Sequence, residues 1–459
     1  MLAARAKEYR NLFRERTELR VQAYSFQAIR LADGKLTENT INRSSGISTR
    51  VYKNGVYGFT STADYSVEAV KDALQKAEKN AAMLSERVKE KSGPLPTIAH
   101  GEYETSFIVR NIEQSEMLAL AREVDEYLLK NCPGLSSRVV RTRLESTEKD
   151  LVVADGICAH TVYVRSHIHV FMYAKGKDGA TVSLDDSFGG RGYPDSVFED
   201  KGPLFAWINK MYQNVMAKRE SVYSESGYKD IILAPDLAGM LAHEAVGHTV
   251  EADMVRAGSV AGFNMEKEVA SELITLVDLA TQGFGQEMPF PVYVDDEGVK
   301  GEDAIIIENG ILKNYLHNRE SALAMGMKPL GNARAYDYFD EPLIRMRNTF
   351  FMPGSSSLDD MITSVDDGYF LAYPANGQAD MTGEFMFGAA MGYEIKKGKI
   401  ARPVREVTLA GFAFDLLKTV DMVSNDLVIR SGGMCGKKQL IGVSMGGPAI
   451  KCKANISGR

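Results

Sequence analysis

The sequence predicts an α+β, multi-domain protein. It reads as an N-terminal α+β domain over residues 1–95, a middle α+β domain over 96–220, and a mainly β C-terminal domain over 221–459 that carries one functional helix. Three observations predict this. A chain of 459 residues holds roughly two to four domains at ~100–200 residues each. Turn-bounded strand patterns alternate with only a few stretches of helical period. Polar segments containing Gly and Pro break the pattern near residues 88–96, and a second break falls near Glu220.

In the first block, residues 1–18 read as a short charged helix. Residues 19–59 read as strands joined by turns at Asp33-Gly34 and Asn54-Gly55. The second pair suits a type I′ hairpin, whose two central residues both take positive φ. Val67, Val70, Ala73, Leu74, Ala77, Ala81 and Leu84 then follow a 3.6-residue period, with Ser66 placed to cap the helix. Residues 88–96 read as a linker.

The second block opens with a helix over 112–131, which Cys132-Pro133-Gly134 stops. Strands follow over 138–175, then a loop at Gly189-Gly190-Arg191-Gly192 and a helix over 203–218 that holds the only tryptophan, Trp207. The third block starts with a buried strand at 230–234. Pro235 ends it, and Asp236 can cap a helix from residue 237 to about 252. From residue 276 onward the chain shows short strand-like runs broken by Gly, Asn and Pro.

Composition narrows the function classes. Apolar residues make up 44% and charged residues 25%, the balance of an ordinary globular protein. A net charge of −7, with no basic cluster, gives phosphate backbones nothing to bind, so no nucleic-acid partner is expected. No apolar run approaches the ~18 residues of a membrane helix, and the charged N-terminus does not read as a signal peptide. Cys132, Cys158, Cys435 and Cys452 are few and scattered, which reads as reduced thiols. A cytoplasmic protein without membrane attachment, acting on a peptide or protein partner, is the expectation.

The chemistry-bearing segment is His243-Glu244-Ala-Val-Gly-His248. Zinc sites take neutral imidazoles, and peptidase sites add a carboxylate that accepts a proton from an activated water. In the usual H-E-x-x-H form the histidines stand at i and i+4 on one helical face. Here the spacing is i, i+5, which on an ideal helix sets the imidazoles roughly 140° apart. The helix must therefore widen or end. A π-bulge aligns i with i+5, and Gly247 supplies backbone freedom for it. Glu244 is the candidate general base. A third ligand is needed. Glu251 and Asp253 lie close in sequence, while Cys435 in Gly-Gly-Met-Cys-Gly-Lys437 offers a thiolate between glycines.

These residues resemble the TldD/PmbA family of metallopeptidases, whose members are often labelled modulators of DNA gyrase. TldD-type members carry H-E-A-V-G-H followed by G-L-E-G-D; this chain has Thr-Val-Glu-Ala-Asp253 after the histidine motif. The family's C-terminal M-C-G-K is matched by Met434-Cys435-Gly436-Lys437. Further matches are Asp295-Asp-Glu-Gly298, Glu308-Asn-Gly-Ile-Leu312, Arg345-Met-Arg-Asn-Thr349, Gly383-Glu-Phe-Met-Phe-Gly388, Arg402-Pro-Val404 and Gly55-Val-Tyr-Gly-Phe-Thr-Ser-Thr62. The resemblance implies that His243, His248 and Cys435 bind Zn2+ and that Glu244 is the base. It also implies a homodimer, or a heterodimer with a PmbA-type paralogue lacking the histidine motif. The implied substrates are extended or unfolded peptides. Thr249 and Ala252 depart from the family's glycines. The competing readings are a non-catalytic zinc-containing chaperone and a gyrase-associated regulator.

Three other patterns carry less. Gly442-Val-Ser444-Met-Gly446 matches G-x-S-x-G, but no helix or histidine follows it. His167 and His169 share one strand face with Arg165, whose charge disfavours a dication. Gly433 to Lys438 is too short for a phosphate loop.

Overall fold

Asp33-Gly34 and Asn54-Gly55 make the turns their composition asks for: φ is 48° and 78° at the first pair, 52° and 82° at the second. They join β1 (Arg16–Ala32), β2 (Lys35–Lys53) and β3 (Val56–Thr62) into an antiparallel meander. The computed structural model describes residues 2–14, 16–88, 92–105, 107–154 and 156–458; part of the expected linker, residues 89–91, lies outside them. α1 (Val67–Arg87) follows, with Ser66 Oγ accepting from the Ala69 N–H, and lays Val70, Ala73, Leu74 and Ala77 on the sheet. The charged N-terminus forms only a short 3₁₀ helix, Ala6–Leu12, instead of the expected helix over 1–18, because β1 already begins at Arg16.

The sheet continues through the second block. After β4 (Gly101–Glu104) and α2 (Gln114–Asn131) come β5 (Ser137–Val153), β6 (Ile157–Lys175) and β7 (Thr181–Arg191). β5 pairs with β1 over most of its length, from Glu18 opposite Val153 to Ala32 opposite Val139. The result is one seven-stranded sheet in the order β3-β2-β1-β5-β6-β4, with β7 also on β6. Residue 95 thus falls between strands of a single sheet. α2 and the helix Gly202–Lys218 cover its second half through Met117, Val124, Leu128, Leu204, Ile208 and Met211. Gly189 and Gly190, expected in a loop, lie within β7 opposite His167 and Ser166; at Gly189 a Cβ would run into the Ser166 carbonyl and the His167 main chain, which favours glycine there.

In the third block, five strands close on themselves. Gly227–Leu233 pairs with Asp367–Ala379, which pairs with Glu384–Lys396, then Lys399–Phe412, then Ile450–Ser457, which returns to Gly227–Leu233. Leu233, Leu371, Phe385, Phe387, Leu409 and Ile450 belong to the core that the helical segment after Ala234 also enters. Beside this barrel lies a six-stranded sheet in the order Ile311–Leu312, Ala304–Glu308, Leu276–Leu279, Asn348–Phe351, Gln439–Gly447, Val428–Lys437. The architecture is the expected multi-domain α+β form with a strand-rich C-terminal region. Among the described residues no helix is long and apolar enough to cross a membrane.

Candidate metal centre

The helix leaving Ala234 is opened by Pro235 in its first turn, where a missing N–H costs nothing, while Asp236 accepts from the Leu237 and Tyr373 N–H groups instead of capping. It is α-helical over Pro235–Met240 and π-helical over Leu241–Gly247. The His248 N–H donates to the His243 carbonyl at 3.2 Å, an i→i+5 bond. This is the widening that the histidine spacing requires, and it brings the two ring centroids to 5.1 Å with the planes at 80°. The helix ends there rather than running on to residue 252. Thr249 Oγ1 turns back to the Val246 carbonyl at 2.8 Å, and the Ala252 N–H donates to Leu316 O.

Cys435 arrives from the edge strand Val428–Lys437, 187 residues further along the chain than His248, and its Sγ lies 3.3 Å from His248 Nε2. One ligand atom from each of His243, His248 and Cys435 falls within 4.8 Å of the other two. His243 is 0% exposed, and neither of its ring nitrogens has a hydrogen-bond partner. An imidazole in that position has lost its hydration without a replacement, a cost of about 1–3 kcal/mol per unpaired group. A cation at its lone pair removes that cost. Two imidazoles and a thiol are a donor set suited to zinc. The residues present therefore fit a divalent metal.

Of the two sequence-adjacent candidates for a third ligand, neither joins the cluster. Glu251, fully buried, accepts from or shares a proton with His248 Nδ1 at 2.9 Å, and it also pairs with Lys437 Nζ at 3.1 Å. It orients the imidazole and fixes which nitrogen faces the cluster, the arrangement that carboxylates provide behind metal-bound histidines. Sequence reasoning missed this role, although the i, i+3 spacing of His248 and Glu251 carried a signal for it. Asp253 pairs with Lys437 Nζ at 2.9 Å and lies at the surface.

Glu244 projects beside the donors, with Oε2 3.7 Å from His248 Nε2 and its side chain one-third exposed. Burial raises its carboxyl pKa, partly opposed by His248. Burial holds His243 well below the usual imidazole value, and His248 and Arg345 push it the same way, so it stays neutral and ligand-competent. At His248 burial acts downward, but hydrogen bonds to Cys435 and Glu251 outweigh it and bring the ring to about 10. Metal binding would release that proton.

Of the set-aside patterns, Gly433 to Lys438 is the hairpin end that carries Cys435, while the other two stay apart from this site. Ser444 is buried in the middle of the strand Gln439–Gly447 and donates to Arg430 O. His167 Nε2 meets Ser431 Oγ at 3.0 Å, and burial brings its pKa down to about 3. His169 pairs with Asp185.

Fold and donor cluster together define a class: a mixed α and β protein with the H-E-x-x-x-H helix of a metallopeptidase lineage. The chain belongs to the PmbA/TldD metallopeptidase family. The family model for the PmbA/TldA metallopeptidase C-terminal domain matches residues 226–458, and that for domain 1 matches residues 17–81. A protein from Buchnera aphidicola (subsp. Schizaphis graminum), named Metalloprotease TldD homolog, is 32% identical over 92% of this chain and 88% of its own. The Zinc metalloprotease TldD homolog of Saccharolobus solfataricus is 34% identical over 67% of this chain and 66% of its own. Among solved structures, TldE from Thermococcus kodakarensis shares the fold with a TM-score of 0.76 and 18% identity, covering 98% of both chains.

Proposed function

We propose that this chain is a zinc-dependent peptidase that hydrolyses extended or unfolded peptides, with His243, His248 and Cys435 as the metal ligands and Glu244 as the general base. The observation that carries the reading is the convergence of three donors within 4.8 Å around a wholly buried, unpartnered His243. The relative named a zinc metalloprotease supports zinc as the ion. Zinc, when bound, supplies a Lewis acid that polarises a scissile carbonyl and acidifies a water. Glu244, beside the donors and in contact with solvent, takes the proton from that water and delivers it to the leaving amine. Its raised pKa suits both halves of that transfer. Glu251 keeps His248 oriented throughout.

A structural zinc calls for four protein ligands, whereas the donor group among the described residues has three members, which favours a site with an open position. Cys435 lies on the edge strand of its sheet, where the one strand partner among the described residues is Gln439–Gly447. An extended peptide can add to such an edge through main-chain hydrogen bonds, which tolerate many sequences. Four free thiols, one of them a metal donor, fit a reducing compartment such as the cytoplasm. The partner subunit in this reading is a second copy or a paralogue without the histidine motif.

The test is metal analysis of the purified protein paired with an assay on unstructured peptides. Glu244→Ala is expected to keep zinc and lose cleavage, whereas His243→Ala and Cys435→Ala lose both. Full activity in Glu244→Ala would reject the mechanism.

A further inference from the structure

We infer that Arg345 is a positioning residue for the metal centre: its guanidinium fixes the hairpin that carries Cys435. The inference rests on Cys435 being a metal ligand. Cys435 lies near the tip of the hairpin formed by Val428–Lys437 and Gln439–Gly447, on an edge strand. Glycines at 433 and 436 leave its backbone locally soft, and Lys438 turns the chain at a φ of 60°. Such a ligand needs an external clamp if it is to stay near the two histidines of a different element.

Arg345 supplies one. It donates to Cys435 O at 2.8 Å, Gln439 O at 2.9 Å and Lys437 O at 3.4 Å, three carbonyls on the two sides of the turn. It is 0% exposed, and the hydrogen-bond partners of its guanidinium among the described residues are these main-chain carbonyls. Taking a guanidinium out of water without a carboxylate partner costs several kcal/mol, which the three carbonyls offset only in part, so a plain structural strut is an expensive use of the residue.

The neighbours of Arg345 complete the device. A Cβ placed on Gly247, the last residue of the π-helical turn, would collide with Met346 Sδ. Residue 346 therefore packs on the histidine-bearing element while residue 345 holds the cysteine-bearing one. Arg347 anchors the segment through Asp278, with Nε and Oδ2 2.8 Å apart and both side chains fully buried. Three consecutive residues set the spacing between the His243/His248 turn and Cys435.

The experiment compares wild type, Arg345→Lys, Arg345→Met and Cys435→Ser after exchange with Co2+, and measures zinc affinity by chelator competition. Circular dichroism checks that each variant is folded. Wild type is expected to show a thiolate-to-cobalt charge-transfer band that Cys435→Ser abolishes. If Cys435→Ser leaves the band intact, the ligand assignment itself falls, independently of Arg345. Arg345→Met is expected to weaken the band and to lower zinc affinity by about 10- to 100-fold, the range for residues behind a metal ligand. Arg345→Lys, which keeps the charge but loses the fork that spans three carbonyls, is expected to fall between. Should Arg345→Met fail to fold, the lysine variant decides. A folded Arg345 variant with the wild-type cobalt spectrum and zinc affinity overturns the inference.

Discussion

The main-chain N–H of His248 donates to the carbonyl oxygen of His243 at 3.2 Å, closing a ring over five residues in a helix whose earlier turn, Ala238 to Ala234, closes over four. That one bond converts an H-E-x-x-x-H spacing, unusable on a regular helix, into two imidazoles with their centroids 5.1 Å apart. It depends on Gly247, because any side chain there meets Met346. Gly247→Ala gains up to ~1 kcal/mol of helix propensity but forces an overpacked contact that costs about 1–3 kcal/mol. The expected net result is lower stability together with lower zinc content, measured by denaturant titration and metal analysis. A variant with unchanged zinc content would show that the close approach is not needed.

Glu251 holds His248 Nδ1 at 2.9 Å and cannot be reached by solvent. Glu251→Gln keeps the shape but removes the charge that orients the imidazole and pairs with Lys437. Zinc affinity is expected to fall by about 10- to 100-fold while Glu244 stays in place. Chelator competition on the folded variant checks this, and wild-type affinity would deny Glu251 an orienting role.

Asp278 and Arg347 form a fully buried pair whose carboxylate also accepts from the Arg347 and Asn348 N–H groups and from Asn332. Removing one partner strands a charge in the interior. Asp278→Ala is expected to cost about 3–5 kcal/mol, read from the shift in the urea midpoint, whereas Lys76→Ala, in the Lys76–Asp72 pair whose partners are both exposed, should leave the midpoint nearly unchanged.

His160 lies between Glu148 and Glu104, whose carboxylates raise its pKa above the usual imidazole value, with the Glu148 hydrogen bond the largest cause. A raised folded-state value means that the folded chain binds the proton more tightly than the unfolded one. The contribution is complete below about pH 6.5 and is lost as pH rises through the higher folded value. Wild type should therefore exceed His160→Gln in stability at pH 6, and the gap should narrow above neutrality. Unfolding midpoints at several pH values check it; a gap independent of pH would contradict it.

The local parts of this architecture were legible in the residues. The 3.6-residue period marked α1, the Asn54-Gly55 pair marked a hairpin, and the angular mismatch between His243 and His248 demanded a widened turn. Each of these is a statement about neighbours in the chain. What was illegible depends on contacts between distant segments. The pairing of β1 with β5 spans more than a hundred residues, so a break in composition near residue 95 looked like a domain boundary although the sheet runs through it. Cys435 competed on equal terms with Glu251 and Asp253, since only the tertiary fold brings a residue 187 positions away within 3.3 Å of His248. The helix was expected to run to about residue 252; Val250 and Ala252 are buried, but the main chain there has left the helix to pair with Leu316. Arg345 gave no sign of its position, because a clamp on carbonyls reads no side chain.

Zinc-edge X-ray absorption on the purified protein tests the central claim most directly. The expected spectrum has two imidazole nitrogens at about 2.0–2.1 Å and one sulfur at about 2.3 Å, with room left for a light exchangeable ligand. A shell without sulfur, or a protein that binds no stoichiometric zinc when supplied with it, would contradict it.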